Sequence, residues 1–372
     1  MTKVADPAVP FLDLSAQHRS LAAEIQGALS RVMESGWFIL GPEVEAFERE
    51  FARVAGTTEA VGVASGTDAL TLSLWALGVG PGDEVITTPL TAAFTALAIS
   101  RTGARPVFAD VERRGLTLAA GAAAEKITPR TKALLPVHLY GNVCDLPALL
   151  EVGDRAGIAV VEDACQAHGA KLGDRPAGSW GATGCFSFYP TKNLGALGDG
   201  GLIATNDEAL ASRLRRLRHG GQESRYVHQE VGFNSRLDEL QAAVLRAKLP
   251  HLAAWNERRR ALASLYRELL EKTPLTWVEP PRTAEPACHL MVARVPERDR
   301  LQEALRDAGV QTLIHYPIPV HLQQAYRDLG QPKGSCPEAE RAAGEILSLP
   351  LYPELGDSQV ERVARAILKF YR

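Results

Sequence analysis

From about residue 60 to residue 205, short apolar runs with strand character alternate with stretches of helical period, and this alternation constrains the fold more than any other feature. The runs are AVGVA, EVITT, PVFAD, ALLPVHL, AVVEDA, CFSFY and GLIAT, with helices predicted to start near Thr67, Thr91, Leu146 and Asp207. Several runs are apolar on consecutive residues, as in a sheet covered on both faces. Strands alternating with helices imply a mainly parallel, seven-stranded α/β sheet. A binding site is expected at the carboxyl ends of such strands. Upstream, Leu21, Ile25, Ala28, Leu29 and Val32 predict an amphipathic helix over 21–33. The breakers Ser35-Gly36 and Gly41-Pro42 separate it from a second helix over 43–54. Beyond about residue 250 the pattern loosens into a charged helix (252–272), the turn EPPRTAEP, a strand at HLMVARV and helices at RLQEALRDAG and QVERVARAILKFYR. A chain of 372 residues suits two domains. The expected division is a large α/β domain over 1–250, with the amino-terminal helices, and a smaller α+β domain over 251–372.

A net charge of -3 exerts no bulk pull on nucleic acid or an anionic membrane, so an anionic ligand must be held by local donors. Five scattered cysteines, none paired at metal-ligand spacing, argue against a disulfide framework and against a metal site. The opening stretch MTKVADPAVPFLDL lacks the apolar core of a signal peptide, and no apolar run approaches membrane-spanning length. The cytoplasm is the expected compartment.

Three segments carry chemistry. In VASGTDAL a strand ends at Ser65-Gly66-Thr67 and a helix begins, placing backbone amides and two hydroxyls where a phosphate could bind. Taken singly, this is an ordinary helix cap. In AVVEDACQAHGA, Asp163 follows an apolar strand. It could serve a metal, a ribose hydroxyl or a protonated ring nitrogen, or cap the next turn. In CFSFYPTKNLGALGDGG a strand stops at Pro190, and Lys192 sits in a loop followed by four glycines. A lone loop lysine is ordinarily a solvated surface residue. The three in this order supply the parts pyridoxal 5′-phosphate (PLP) requires: an amine to hold the aldehyde as an imine, a carboxylate to keep the pyridine nitrogen protonated, and a cradle for the phosphate. Lys192, Asp163 and Gly66/Thr67/Ser187 fill these roles.

At this point the chain resembles the DegT/DnrJ/EryC1/StrS family of sugar aminotransferases, of PLP-dependent transferase fold type I (aspartate-aminotransferase-like). The likeness runs from FLDL at residue 11 through SGWFILGPEVEAFE, SGTDAL, VHLYGN, VEDACQAHGA, SFYPTKNLGALGDGG, GFNSRLDELQAAVL and HYPIPVHLQQAY to LSLPLYPEL. It implies Lys192 as the cofactor-bearing lysine, Asp163 as the pyridine-nitrogen partner, Gln166 beside the phenolic oxygen, and Gly66, Thr67 and Ser187 on the phosphate. It further implies that Asn234 reaches the phosphate bound in a neighbouring subunit, hence a homodimer with shared sites. Family members often carry an aromatic residue directly after the Thr near residue 90. This chain has Ala92 there and Phe94 two positions on. Either Phe94 covers the cofactor ring, or a smaller apolar contact does and Phe94 packs on the sheet.

The same resemblance places Tyr189, His315 and Tyr316 near the substrate, with packing in an apolar turn as the alternative for Tyr316. It implies a two-stage transfer of an amino group from glutamate to a nucleotide-linked keto sugar, a dTDP-3-keto-6-deoxyhexose by likeness to the 3-amino branch, with Lys192 as general base and acid. The other outcomes weighed are a 4-keto or UDP-linked substrate, a sugar dehydratase, in which histidine replaces the lysine, and a non-catalytic regulator. Other histidines are expected to be structural, His138 shaping the turn after its strand.

Overall fold

The computed structural model describes residues 8–372; the first seven residues, part of the stretch considered for a signal peptide, lie outside the described residues. Three helices open the chain: α1 (Leu14–Ser20), α2 (Ala22–Ser35) and α3 (Pro42–Ala55). Asp13 starts α1 by accepting hydrogen bonds from the amides of Ser15 and Ala16, and Gly36 ends α2 in the left-handed conformation. The N-cap of α3 is Gly41, which has no side chain to cap with. Glu239 supplies the missing acceptors at 2.8–2.9 Å to the amides of Gly41, Glu43 and Val44, and its charge favours the positive end of the helix.

The main sheet uses β1 (Glu59–Val63), β2 (Glu84–Thr87), β3 (Arg105–Phe108), β4 (Thr131–Leu135) and β5 (Ala159–Asp163). After a small ribbon of β6 (Lys171–Leu172) and β7 (Arg175–Pro176) come β8 (Thr183–Ser187) and β9 (Gly201–Thr205). Their order is β1-β9-β8-β5-β4-β2-β3, seven strands in all. β2, β3, β4, β5 and β8 run parallel, whereas β9 is antiparallel to both β1 and β8, which gives the expected mixed, mostly parallel sheet. The crossovers include α4 (Gly66–Ala76), α5 (Phe94–Arg101), α6 (Ala120–Glu125) and α7 (Leu146–Ala156); α8 (Glu208–Leu217) follows β9. Both sheet faces are covered. Val61, Val85, Leu135 and Ile203 pack toward α4, α5 and α8, while Ile86, Leu134 and Val160 pack on the opposite face with α3 and α7. Phe47 and Phe51 of α3, tilted against each other, meet Phe186 and Phe188 edge-on, each contributing on the order of 1.5–3 kcal/mol by burial.

Two expectations need correction. The helix predicted near Thr91 begins at Phe94, because Pro89 and the following residues form an irregular turn. The run ALLPVHL ends as a strand at Leu135, since Pro136 has no amide to donate to the ladder.

An exposed hairpin, β10 (Gln222–Ser224) and β11 (Val227–His228), precedes α9 (Glu239–Lys248) and α10 (Leu252–Leu269). β12 (Thr276–Trp277), β14 (Met291–Arg294) and β15 (Ile346–Leu349) form a three-stranded sheet, and β13 (Ala284–Glu285) joins the ribbon of β6. α11 (Arg298–Asp307), α12 (Pro337–Glu345) and α13 (Asp357–Phe370) complete the chain. A second core gathers Leu262, Tyr266, Leu301, Leu347, Val363 and Ile367, and Val9 joins it by bridging Val310.

Candidate active site

The carboxyl ends of β1, β5 and β8 border a cleft of about 940 Å³. Gly66, Thr67, Phe94, Asp163, Gln166, Ser187, Tyr189, Lys192, His315 and Tyr316 all line it, although they span some 250 positions of the chain. Asn234 does not. It is exposed, in the segment where Ser235 donates to Asp68 at the start of α4.

At one end of the cleft is the start of α4. Ser65 caps the helix by accepting from the amide of Asp68 at 3.1 Å, and the preceding amides, as in any first turn, lack intrahelical partners. A Cβ at Gly66 would lie 2.6 Å from Ser187 Cβ and 2.9 Å from Cys165 Sγ. Only glycine lets strand end and helix start approach so closely. The result is a concave set of amides and hydroxyls suited to a phosphate.

Asp163, buried at the end of β5, is held by two donors. Thr95 Oγ1 donates to Oδ2 at 2.8 Å and the Cys165 amide to Oδ1 at 3.2 Å. Because the Thr95 proton is committed to Asp163, the 3.1 Å bond between Thr91 and Thr95 must have Thr91 as donor. This relay keeps the carboxylate pointed into the cleft. Lys192 faces the same space from the loop after Pro190. Burial pulls its pKa below the ordinary lysine value, against the opposing pull of Cys165 and Asp163. Its neighbour Asn193 is clamped: Nδ2 donates at 2.8 Å to Asn256 Oδ1 and to the carbonyl of Ala287, and Oδ1 accepts from His289 Nδ1 at 3.0 Å.

Tyr140 organises the far wall. Its amide donates to Gln166 Oε1 at 2.7 Å, its carbonyl accepts from His289 at 2.9 Å, and its hydroxyl donates to the carbonyl of His315. Gln166 Nε2 in turn donates to the Tyr316 hydroxyl at 3.2 Å. Burial pushes Tyr316 up to about 12 and His315 down to about 4, the nearby Lys192 adding to the latter. His315 is therefore neutral, with Nδ1 engaged by Ser348 Oγ at 2.8 Å. Tyr189 is half exposed and Phe94 is 63% exposed at the mouth of the cleft, so Phe94 is not packed away on the sheet. His138 does shape its turn: Nδ1 accepts from the Cys144 amide, which leaves Nε2–H to bond Glu162. Thr95, Tyr140, Asn193, Arg259 and His289 were not anticipated from the sequence. Tyr140 and Asn193 lie in the motifs VHLYGN and SFYPTKNLGALGDGG and His289 opens the run HLMVARV, but nothing in the sequence brings them together, and Thr95 and Arg259 carry no spacing signal.

The DegT/DnrJ/EryC1/StrS aminotransferase family matches residues 19–368. The chain belongs to this family. It is accordingly a PLP-dependent sugar-nucleotide aminotransferase. It is 53% identical to "Erythromycin biosynthesis sensory transduction protein EryC1" of Saccharopolyspora erythraea over 95% of this chain and 97% of that one. It is 49% identical to dTDP-3-amino-3,4,6-trideoxy-alpha-D-glucose transaminase of Streptomyces venezuelae, over 98% and 97%. Among solved structures, S. venezuelae DesV in complex with a ketimine intermediate superposes with a TM-score of 0.96 at 49% identity, covering 98% of this chain and 99% of that one. The fold is thus that of the PLP-dependent aminotransferases. The residues present fit the cofactor: a phosphate-sized cradle that a Cβ at Gly66 would fill, a buried oriented carboxylate, and an amine of lowered basicity.

Proposed function

We propose that this aminotransferase moves the amino group of glutamate to carbon 3 of a dTDP-linked 3-keto-6-deoxyhexose. The observation that carries the reading is the meeting of Lys192 and Asp163 with Tyr189, His315 and Tyr316 in one cleft. The S. venezuelae transaminase, named for a dTDP-3-amino sugar, supports the nucleotide and the carbon.

PLP supplies a carbonyl carbon for amines and an electron-accepting ring. In our reading, Gly66, Thr67 and Ser187 would bind its phosphate, and Asp163, oriented by Thr95, would hold a proton at the pyridine nitrogen. Gln166 would serve the phenolic oxygen and Phe94 would cover part of the ring. Lys192 Nζ would take up and return the proton that the transfer moves, and the lowered basicity of a buried amine suits it to both tasks. Tyr316, neutral His315 and Tyr189 orient the sugar by its hydroxyls or diphosphate.

The proposal extends to a homodimer in which Asn234 serves the partner's cofactor. Asn234 lies outside the cleft of its own chain, and Trp37, Tyr226 and Val231 expose 57%, 80% and 79% of their surface, as interface residues of an isolated chain do. Residues 1–250 and 251–372 are proposed as the large and small domains. Among the described residues no helix is long and apolar enough to cross a membrane, and the cytoplasm is the proposed compartment. The name of the S. erythraea relative favours a second reading, a sensory role. Lys192 and Asp163, which such a role does not need, weigh against it.

The test is a panel of matched 3-keto and 4-keto sugars on dTDP and UDP, supplied with glutamate and read by NMR. Consumption of the dTDP-3-keto sugar with nitrogen on carbon 3 is expected; nitrogen on carbon 4 of a 4-keto sugar contradicts the regiochemistry, and no turnover at all favours the sensory reading. Borohydride treatment of the loaded enzyme should label Lys192 in peptide maps, and a label on another lysine removes that assignment.

A further inference from the structure

Arg259, from α10, lines the same cleft although it is only 4% exposed. Its Nη1 donates to the carbonyls of Leu351 at 2.9 Å, His289 at 3.3 Å and Cys288 at 3.5 Å. Among the described residues its buried Nε has no partner, Nη2 makes no hydrogen bond and no carboxylate lies within ion-pair distance. Glu354 acts on it only from longer range and is itself engaged by Gln17. Burial lowers the Arg259 pKa to about 10, which still leaves it charged at neutral pH. A buried cation balanced only by carbonyls is costly, and Nη2, which is not among the guanidinium's buried orphan atoms, is left to donate a charge-assisted bond to a carboxylate in the cleft. The cleft wall also includes Phe11, Leu12, Leu313 and Leu351, apolar surface that suits a short methylene chain. Burial, with the charges of Lys192 and Arg259 adding to it, holds the His289 imidazole well below the usual histidine range.

We propose that Arg259 binds the side-chain carboxylate of the dicarboxylic amino donor and so selects glutamate over uncharged amino acids. This rests on the proposed donor. The same guanidinium chemistry could instead meet the diphosphate of the sugar nucleotide, and the two sources separate by half-reaction.

The experiment follows each half-reaction of the holoenzyme by absorbance, with glutamate or glutamine as donor and, separately, with the keto sugar nucleotide added to the aminated enzyme. For Arg259→Met, the KM for glutamate should rise on the order of 10- to 100-fold relative to that for glutamine. The sugar half-reaction should change less than about threefold, and Arg259→Lys should recover part of the glutamate preference. A preserved preference for glutamate overturns the inference, as does an equal loss in both half-reactions. A loss confined to the sugar half-reaction overturns it in favour of the diphosphate. Wild-type enzyme that accepts glutamine but not glutamate overturns the donor assignment itself. A crystal structure of the wild-type holoenzyme with glutarate gives a readout independent of folding of the variants: a carboxylate on the Arg259 guanidinium supports the inference, and one seated elsewhere refutes it.

Discussion

A methyl group on Gly66 would meet Ser187 and Cys165 at separations that side chains do not adopt, so the cradle must open or the methyl must displace the phosphate. Gly66→Ala is therefore expected to weaken PLP binding by at least roughly tenfold, since even one lost hydrogen bond to a charged group is worth about 1.5–3 kcal/mol. Equilibrium dialysis of the refolded apoenzyme checks this, and unchanged affinity would place the phosphate elsewhere. Thr95 gives a sharper test of electrostatics. Valine copies its shape but cannot donate to Asp163 Oδ2, leaving that oxygen with one fewer donor. Thr95→Val should keep the cofactor bound yet slow the donor half-reaction roughly 10- to 100-fold. A rate within twofold of wild type in stopped-flow absorbance would show that Thr95 does not act through Asp163. Neither Thr95 nor Arg259 was legible in the sequence, because each matters through a partner made adjacent only by folding. Lys192, Asp163 and Gly66 were legible through their order along the chain and the family motifs that hold them, although each alone reads as an ordinary loop, turn or cap residue.

Among the elements, the runs AVGVA, AVVEDA and GLIAT fall at β1, β5 and β9 because consecutive apolar residues bounded by breakers leave few alternatives. The direction of β9 was not legible: nothing in GLIAT distinguishes an antiparallel strand from a parallel one. α12 and β15 were missed, since the helix passes directly into the strand at Glu345–Ile346 and the one glycine nearby, Gly344, lies inside the helix and marks no boundary. His168 shows what an element's packing does to a titratable group. Wedged among Phe51, Phe186 and Phe188, with neither ring nitrogen bonded among the described residues, it has its pKa pushed down to about 3 by burial, the charge of Lys192 adding. A depressed folded-state pKa leaves the folded form neutral while the unfolded chain takes up a proton below about pH 6.5, so stability is lost as pH falls from there toward 3. That loss approaches about 1.4 kcal/mol per pH unit from this group alone. His168→Leu should accordingly lower the melting temperature less between pH 7 and pH 5 than wild type does, by about 2 kcal/mol equivalent. Parallel acid limbs for the two proteins would assign the lability to other groups.

For the molecule as a whole, the cleft draws on β1, β5 and β8 of the main sheet and on His315 and Tyr316 from the carboxyl-terminal part, yet Asn234 lies outside it. If Asn234 completes the partner's site, a mixed dimer of Lys192→Ala and Asn234→Ala chains carries both lesions in one site and none in the other. Subunit exchange should restore activity toward half that of wild type per mixed dimer, measured as steady-state turnover. No recovery despite exchange shown by native mass spectrometry, or a monomer by light scattering, would dismiss shared sites. The transfer itself is tested most directly by isolating the amino group on the enzyme. Holoenzyme is incubated with 15N-glutamate, desalted to remove all amino acid, and then given the dTDP-3-keto-6-deoxyhexose alone. The expected result is one equivalent of sugar per active site carrying 15N on carbon 3. Unlabelled sugar, or 15N on carbon 4, would contradict the proposed transfer.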